Sequence, residues 1–131
     1  MSRSESSGTI DTLMPGQTNA AGRTLTVAIT GASGSIFAKH LLEALERDDR
    51  VATVNLILSD SGLRVMAEEL QVAGRNDLVQ KLLGRPSQKI HQQSNTDIGA
   101  NVASGSYQTD AMIVLPCSVG TLARIANGMA I

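Results

Sequence analysis

Apolar residues occur along this chain in short runs that alternate with amphipathic segments. The runs TLTVAIT (24–30), VNLILS (54–59) and AMIVLP (111–116) are short and contain no charged residue. Short apolar runs rich in β-branched residues are typical of strands that are buried on both faces of a sheet. The pattern therefore predicts three buried β-strands.

Helical periodicity follows each predicted strand. Apolar residues lie three or four positions apart in 35–47 and in 61–71, so each segment is predicted to form an amphipathic helix. A shorter helix is predicted over 76–83, and a last one within 117–128. The residues expected to face the core are Ile36, Phe37, Leu41, Leu42 and Leu45 in the first helix and Leu63, Met66 and Leu70 in the second. The apolar residues of the last helix include Leu122, Ile125 and Ala126.

Strands that alternate with helices predict a parallel sheet, because parallel strands need long crossover connections. The predicted fold class is therefore α/β, a Rossmann-like (flavodoxin-like) doubly wound parallel sheet. The polar stretch 87–105 is predicted to be an irregular loop, and residues 1–24 a flexible N-terminal tail that precedes one domain over 25–131. The loops 31–35, 59–62 and 117–121 should meet at the carboxyl edge of the sheet, where such folds bind ligands.

Composition narrows the class of partner. The 131 residues carry a net charge of −1 and are 2% aromatic, so neither electrostatic attraction to nucleic acid nor a base-stacking surface is indicated. No apolar run approaches the roughly 20 residues of a membrane span. Cys117 is the only cysteine and the N-terminus lacks a signal-peptide core, so we expect a cytoplasmic location. His40 and His91 lack metal-ligand spacing, so no metal site is predicted.

The segment TGASGS (30–35) joins a predicted strand to a predicted helix, which is typical of a phosphate-binding turn. A dinucleotide site needs a third glycine, where this chain has Phe37, and an acidic residue about 20 positions later, whereas Asp60 lies further on. A single phosphate needs only hydroxyls and helix N-terminal amides, so we favour it over NAD. That these hydroxyls only cap their helices stays open as an alternative. They belong to Ser33, Ser59, Ser118 and Thr121.

Three stretches of the sequence resemble the UbiX-type flavin prenyltransferases, within the wider flavoprotein group that includes cysteine decarboxylases. They are AITGASGSIFAKHLLEAL, LILSDSGLRVMAEE and SGSYQTDAMIVLPCSVGTLARIANG, and the resemblance extends over 25–129. The last stretch is the most specific of the three. In the cysteine-decarboxylase branch its strand and loop read more like P-A-S-A-N-T, from which PCSVGT departs.

The resemblance implies that the ligand is FMN and that the reaction transfers a dimethylallyl group from dimethylallyl phosphate to reduced FMN. The prenylated FMN would then serve UbiD-type decarboxylases, as in ubiquinone biosynthesis. The resemblance also implies a homo-oligomer, catalytic roles for Ser33 and Glu69, and a prenyl-phosphate pocket formed by Ala103, Ser104 and Gly105. The implied FMN contacts are Gly31, Ala32, Ser33, Ser59, Ser118, Val119, Gly120 and Thr121.

Alternatives to this interpretation stay open. One is an FMN-binding flavoprotein of the cysteine-decarboxylase type, and another is a non-catalytic remnant. Without the resemblance, Glu69 beside Glu68 is typical of a solvated helix face. Family members continue beyond ANGMAI with a basic segment, so we expect this sequence to be the N-terminal part of a flavoprotein domain, with an incomplete sheet and no prenyl transfer by this chain alone.

Overall fold

The computed structural model of the chain describes residues 22–93 and 109–127. Within these ranges the predicted helices and strands are all present, with ends that shift by at most three residues, and one short strand is added. The elements are β1 (Arg23–Ile29), α1 (Ser35–Arg47), β2 (Val51–Leu58), α2 (Asp60–Leu70), α3 (Leu78–Leu83), β3 (Ile90–Gln92), β4 (Ala111–Val114) and α4 (Val119–Ala126).

The strands form one parallel sheet in the order β3-β2-β1-β4. Ile29 lies opposite Leu58, and Ala28 lies opposite Val114, so β1, β2 and β4 end nearly level. The chain runs outward from β1 to β2 and β3 and then returns to the other side of β1 for β4. The predicted doubly wound α/β fold is confirmed, and the reversal of strand order between β1 and β4 marks the point where such sheets bind ligands.

Alternate residues of the strands point to opposite faces of the sheet. On one face, Val27, Ile29, Leu56 and Leu58 pack with residues of α1, α2 and α3, such as Leu42, in the main core. On the other face, Ala28 and Ile57 form a smaller cluster with Met112 and Val114. Because successive side chains of a strand point to opposite faces, the same strands contribute residues to both clusters.

The buried face of α1 differs from the predicted one. Its buried residues are Ser35, Ala38, Leu42 and Leu45. The prediction was wrong for Ile36 and Phe37, which are 40% and 63% exposed. Each helical residue advances by about 100°, so positions one and two after Ser35 lie on other faces of the helix.

Helix α4 exposes most of its apolar residues. Leu122 is 58% exposed and Val119 83% exposed, and Ala126 is exposed as well, whereas Ile125 is partly buried. The helix follows β4, which is an edge strand in the described part of the sheet. No helix in the described ranges is long and apolar enough to cross a membrane.

The stretch predicted as an irregular loop contains the edge strand β3. Residues Ile90–Gln92 pair with Val54–Leu56, and Ile90 is 4% exposed, so the loop prediction was wrong there. Three residues are too few to show a period, and the open edge of β2 decides their conformation. The remainder of that loop from residue 94 onward, and residues 1–21 of the predicted tail, lie outside the described residues.

Lys89, just before β3, holds the C-terminal end of α1. Its Nζ donates hydrogen bonds to the backbone carbonyls of Leu45, Glu46 and Asp48 at 3.1, 3.0 and 2.9 Å. These carbonyls are among the acceptors that a helix end leaves without intrahelical partners. A cation at this end also interacts favourably with the helix dipole.

Candidate functional site

The loops that follow β1, β2 and β4 lie side by side at the carboxyl edge of the sheet. The Ser59 N–H donates to the Ile29 carbonyl at 3.1 Å, which joins the second loop to the end of β1. The Thr30 N–H donates to the Pro116 carbonyl, also at 3.1 Å, which joins the first loop to the third. The predicted convergence of the three loops is confirmed.

Ser33 and Glu69 come together although they are 36 positions apart in the sequence. The Ser33 hydroxyl donates to Glu69 Oε2 at 2.7 Å. The N–H groups of Gly34 and Ser35 donate to Glu69 Oε1 at 3.1 and 2.9 Å. One carboxylate from α2 therefore binds both the glycine loop and the N-terminus of α1.

These hydrogen bonds keep the Glu69 carboxylate ionised. The N–H of Ser35, the hydroxyl of Ser33 and the N–H of Gly34 lower the pKa of Glu69 from its ordinary value of 4.5 to about 2. An ionised carboxylate at the start of a helix is also favoured by the helix dipole. Glu69 is therefore an anion at neutral pH, so it supplies negative charge and accepts hydrogen bonds at this place, and it does not act as a proton donor.

The lowered pKa predicts a pH-dependent stability. Because the folded-state pKa lies below the ordinary one, the carboxylate's stabilisation is fully present above pH 4.5 and is lost as the pH falls towards 2. Glu69→Gln should therefore unfold at lower urea concentration than the wild type near neutral pH, and this difference should shrink across that window. Urea unfolding at a series of pH values measures it. Glu68→Gln is the control, and a difference that does not change with pH would contradict the prediction.

Ser59 and Ser118 each begin a helix. Ser59 Oγ accepts from the Gly62 N–H at 3.0 Å, and Ser118 Oγ accepts from the Thr121 N–H at 3.2 Å. The capping alternative thus describes these two serines. The Ser118 hydroxyl also donates to Thr121 Oγ1 at 2.9 Å, so only a lone pair of its oxygen is left for a ligand. Ser33 differs because Gly34 is the N-cap of α1 and the Ser33 hydroxyl binds Glu69 instead.

Two glycines let the loops approach one another. A Cβ on Gly31 would lie 2.5 Å from Ser61 Oγ, and a Cβ on Gly62 would lie 2.5 Å from the Ile29 carbonyl oxygen. Gly120 is different, because a Cβ there would meet no atom of the chain within 4 Å. The space beside Gly120, at the start of α4, is large enough for a ligand group to approach the backbone.

Sequence reasoning missed two residues at this edge. Arg75 donates to the Leu58 carbonyl and, at 2.8 Å, to Asp60 Oδ1, so a guanidinium lies at the end of β2. Thr30 links the first and third loops through its side chain. Thr30 offered one sequence signal, a hydroxyl that ends an otherwise apolar strand, whereas Arg75 offered none.

Some predicted residues cannot be placed. Ala103, Ser104 and Gly105, the predicted prenyl-phosphate pocket, lie outside the described residues, so their role stays a prediction. Ala32 lies partly buried in the glycine loop, where its N–H donates to the Thr30 carbonyl at 2.9 Å. In the described ranges, no group of three or more His, Cys, Asp or Glu side chains is arranged to hold a metal.

Curated relatives cover the same part of the chain. A flavin prenyltransferase UbiX from Methanocaldococcus jannaschii is 45% identical over 102 residues, which are 78% of this chain and 50% of the relative. The UbiX of Alkalihalophilus pseudofirmus is 36% identical over 106 residues, covering 79% of this chain and 52% of the relative. The chain thus spans about half the length of the curated relatives it matches.

Solved structures and a family model agree with these relatives. A dodecameric FMN-dependent UbiX-like decarboxylase from Escherichia coli O157:H7 superposes with a TM-score of 0.57 at 32% identity, covering 79% of this chain and 52% of that one. A crystal structure of AnUbiX in complex with FMN and dimethylallyl pyrophosphate gives 0.55 at 30% identity, covering 82% and 58%. The model of the Flavoprotein family matches residues 14–130. The chain therefore belongs to the Flavoprotein family, and its predicted resemblance to UbiX-type proteins is confirmed.

Proposed function

We propose that this chain forms the FMN-binding part of a flavin prenyltransferase, which transfers a dimethylallyl group from dimethylallyl phosphate to reduced FMN. The observation that carries the proposal is the Ser33–Glu69 pair at the carboxyl edge of the sheet, beside loops that fit a flavin. The relatives support it over the cysteine-decarboxylase alternative, because they are named flavin prenyltransferases.

The structure favours α4 over α1 as the helix that holds the FMN phosphate. The first amides of α1, those of Gly34 and Ser35, already donate to the Glu69 carboxylate. A second anion at that helix end would be repelled by the first. At the N-terminus of α4, the amides of Ser118 and Thr121 already have partners within the chain. The amides of Val119 and Gly120, two hydroxyls and the open space at Gly120 are then the groups offered to an anion. Gly31, Ala32, Ser33 and Ser59 would then line the remainder of the flavin site.

Reduced FMN, when bound, supplies the nucleophilic atoms that accept the prenyl group. The chain's own contribution is the hydroxyl of Ser33, whose proton has an acceptor 2.7 Å away in Glu69. An ionised carboxylate also stabilises positive charge that develops on an allylic group near it. These two residues would therefore orient a hydroxyl and stabilise a cation beside the flavin, while the phosphate that leaves the donor would go to the predicted pocket of Ala103, Ser104 and Gly105.

Three wider properties belong to the same proposal. A homo-oligomer is supported by the related decarboxylase, which is dodecameric. A UbiD-type decarboxylase would use the prenylated flavin as its cofactor, as the family resemblance implies. A cytoplasmic location is supported by the single cysteine, because proteins of oxidising compartments are the ones that usually carry disulfides.

Titration of the purified chain with FMN, with NAD as the comparison ligand, tests the binding part of this proposal. We expect FMN to bind with a change in its absorbance and fluorescence, and binding of NAD without FMN would overturn the proposal. The reaction itself is tested by incubation with reduced FMN and dimethylallyl phosphate and mass analysis of the flavin. Because the chain spans about half of its relatives, a second arm supplies the remaining half of the Methanocaldococcus jannaschii relative. A flavin unchanged in both arms would contradict the transferase.

Gly120→Ala separates ligand binding from folding. The added methyl group meets no atom of the chain within 4 Å, so stability should be unchanged or raised by up to about 1 kcal/mol, the helix preference for alanine. The same methyl group would occupy the space proposed for the FMN phosphate and should weaken FMN binding about tenfold or more. Thermal unfolding and FMN titration measure the two effects. Unchanged FMN affinity would place the phosphate elsewhere.

A further inference from the structure

Thr30 directly follows β1, an inner strand of the sheet, and is 1% exposed. Its hydroxyl donates to the Pro116 carbonyl at 2.8 Å and accepts from the Ser118 N–H at 2.6 Å. Its own N–H donates to the same Pro116 carbonyl at 3.1 Å. Three hydrogen bonds from one residue thus reach a loop that lies 86 to 88 positions later in the sequence.

These hydrogen bonds hold the chain after β1 to the chain after β4, beyond the last residues that pair in the sheet. The register between β1 and β4 ends at Ala28 and Val114, one residue before β1 itself ends. The Leu115 N–H still donates to the Ala28 carbonyl at 2.9 Å, and beyond that bond the regular pairing gives way to the bonds of Thr30. The Thr30 hydroxyl supplies both a donor and an acceptor at this position, and it leaves neither the buried carbonyl nor the amide of Ser118 without a partner.

The position of these bonds matters because they join two parts of one candidate site. Thr30 directly precedes the glycine loop, which begins at Gly31, and Ser118 begins the loop assigned above to the phosphate of FMN. A ligand that touches both loops needs them at a fixed separation. No other side-chain hydrogen bond in the described residues joins the first loop to the third.

We propose that Thr30 is a positioning residue that fixes the 118–121 loop relative to the glycine loop, so that both can contact one flavin. It acts through Ser118 and does not touch the flavin. The claim that both loops contact one flavin rests on the proposed function. The claim that Thr30 fixes the 118–121 loop concerns the chain without ligand and does not depend on that function.

The test compares three substitutions in the full chain. Thr30→Val keeps the shape of the side chain and removes the hydroxyl, although its new methyl group would press on the Pro116 carbonyl. Thr30→Ala removes the hydroxyl without that contact, and Thr30→Ser keeps it. For each, backbone amide exchange at Ser118 is measured without ligand, and FMN affinity is measured by titration, with unfolding as the check on the fold.

We expect exchange at Ser118 to rise about tenfold or more, and FMN binding to weaken about tenfold or more, in Thr30→Val and Thr30→Ala. Thr30→Ser should stay within about threefold of the wild type in both. If Thr30→Val does not fold, the inference is judged from the difference in exchange and FMN affinity between Thr30→Ala and Thr30→Ser. A loss in Thr30→Ser equal to that in Thr30→Ala, or unchanged exchange and affinity in Thr30→Ala, would overturn the inference. If the wild type binds no FMN, the proposed function has failed, and exchange at Ser118 alone decides whether Thr30 fixes the loop.

Discussion

Gly62→Ala should lower the free energy of unfolding by about 3 kcal/mol, the upper range for overpacking a well-packed site. Gly62 is the third residue of α2, and a Cβ there would lie 2.5 Å from the Ile29 carbonyl oxygen and 3.0 Å from its carbon. Backbone cannot rotate away as a flexible side chain can, so α2 must move from the end of β1. That movement would also lengthen the bond from the Ser59 N–H to the Ile29 carbonyl, now 3.1 Å.

Urea unfolding of Gly62→Ala measures this loss, and Gly120→Ala is its matched control. Both glycines lie in the first turn of a helix near the same sheet edge, and only Gly62 has an atom in the way. Alanine normally stabilises a helix relative to glycine, by about 1 kcal/mol. A stability of Gly62→Ala equal to or above the wild type would show that α2 does not approach β1 as closely as described.

Gly31→Ala should lower stability by about 2 kcal/mol and weaken FMN binding about a hundredfold. The added Cβ would lie 2.5 Å from Ser61 Oγ and 2.6 Å from Ser61 Cβ. The glycine loop and α2 must then separate, which displaces Ser33 from the position proposed above for flavin binding. Unfolding and FMN titration measure the two effects.

A second substitution, at Ser61, should relieve the clash that Gly31→Ala creates. Ser61→Gly removes both atoms that the new Cβ would meet, so Gly31→Ala combined with Ser61→Gly should recover most of the lost FMN affinity. Ser61→Gly alone is the control, because it gives up the contact between Ser59 Oγ and Ser61 Oγ at 3.2 Å. A double variant that binds FMN no better than Gly31→Ala would mean that the alanine disturbs the flavin directly and not through α2.

The elements with a strong period were predicted well from the sequence. The bounds of α1 agree in full, and the ends of the other predicted elements differ by a few residues. The buried face of a helix was harder to predict, because a helix with many apolar residues does not specify which of them will be buried in the core. In α1 the small side chains of Ser35 and Ala38 face inward, and Phe37 does not. The strand β3 was missed because its conformation comes from pairing with β2 and not from its own sequence.

In the candidate site, too, features that follow from the order of the elements were predicted, and contacts between residues far apart in the sequence were not. The order of strands and helices predicted the meeting of three loops, because parallel strands end at one edge. The bond between Ser33 and Glu69 joins elements that periodicity treats separately, and only the family resemblance brought the two residues together before the structure did. Thr30 and Arg75 act through backbone carbonyls of other elements, and such partners leave no pattern in the sequence.

Helix α1 is stabilised at each end by a charge that the chain supplies much later. The carboxylate of Glu69 binds its first amides, and the ammonium of Lys89 binds its last carbonyls. The helix has 13 residues and no acidic residue in its own first turn, and an isolated helix of that length is marginal in water. During synthesis from the N-terminus, α1 is therefore made before either charged residue. We expect it to become a lasting helix only once the chain has been made as far as β3, so that its folding follows translation by more than 40 residues.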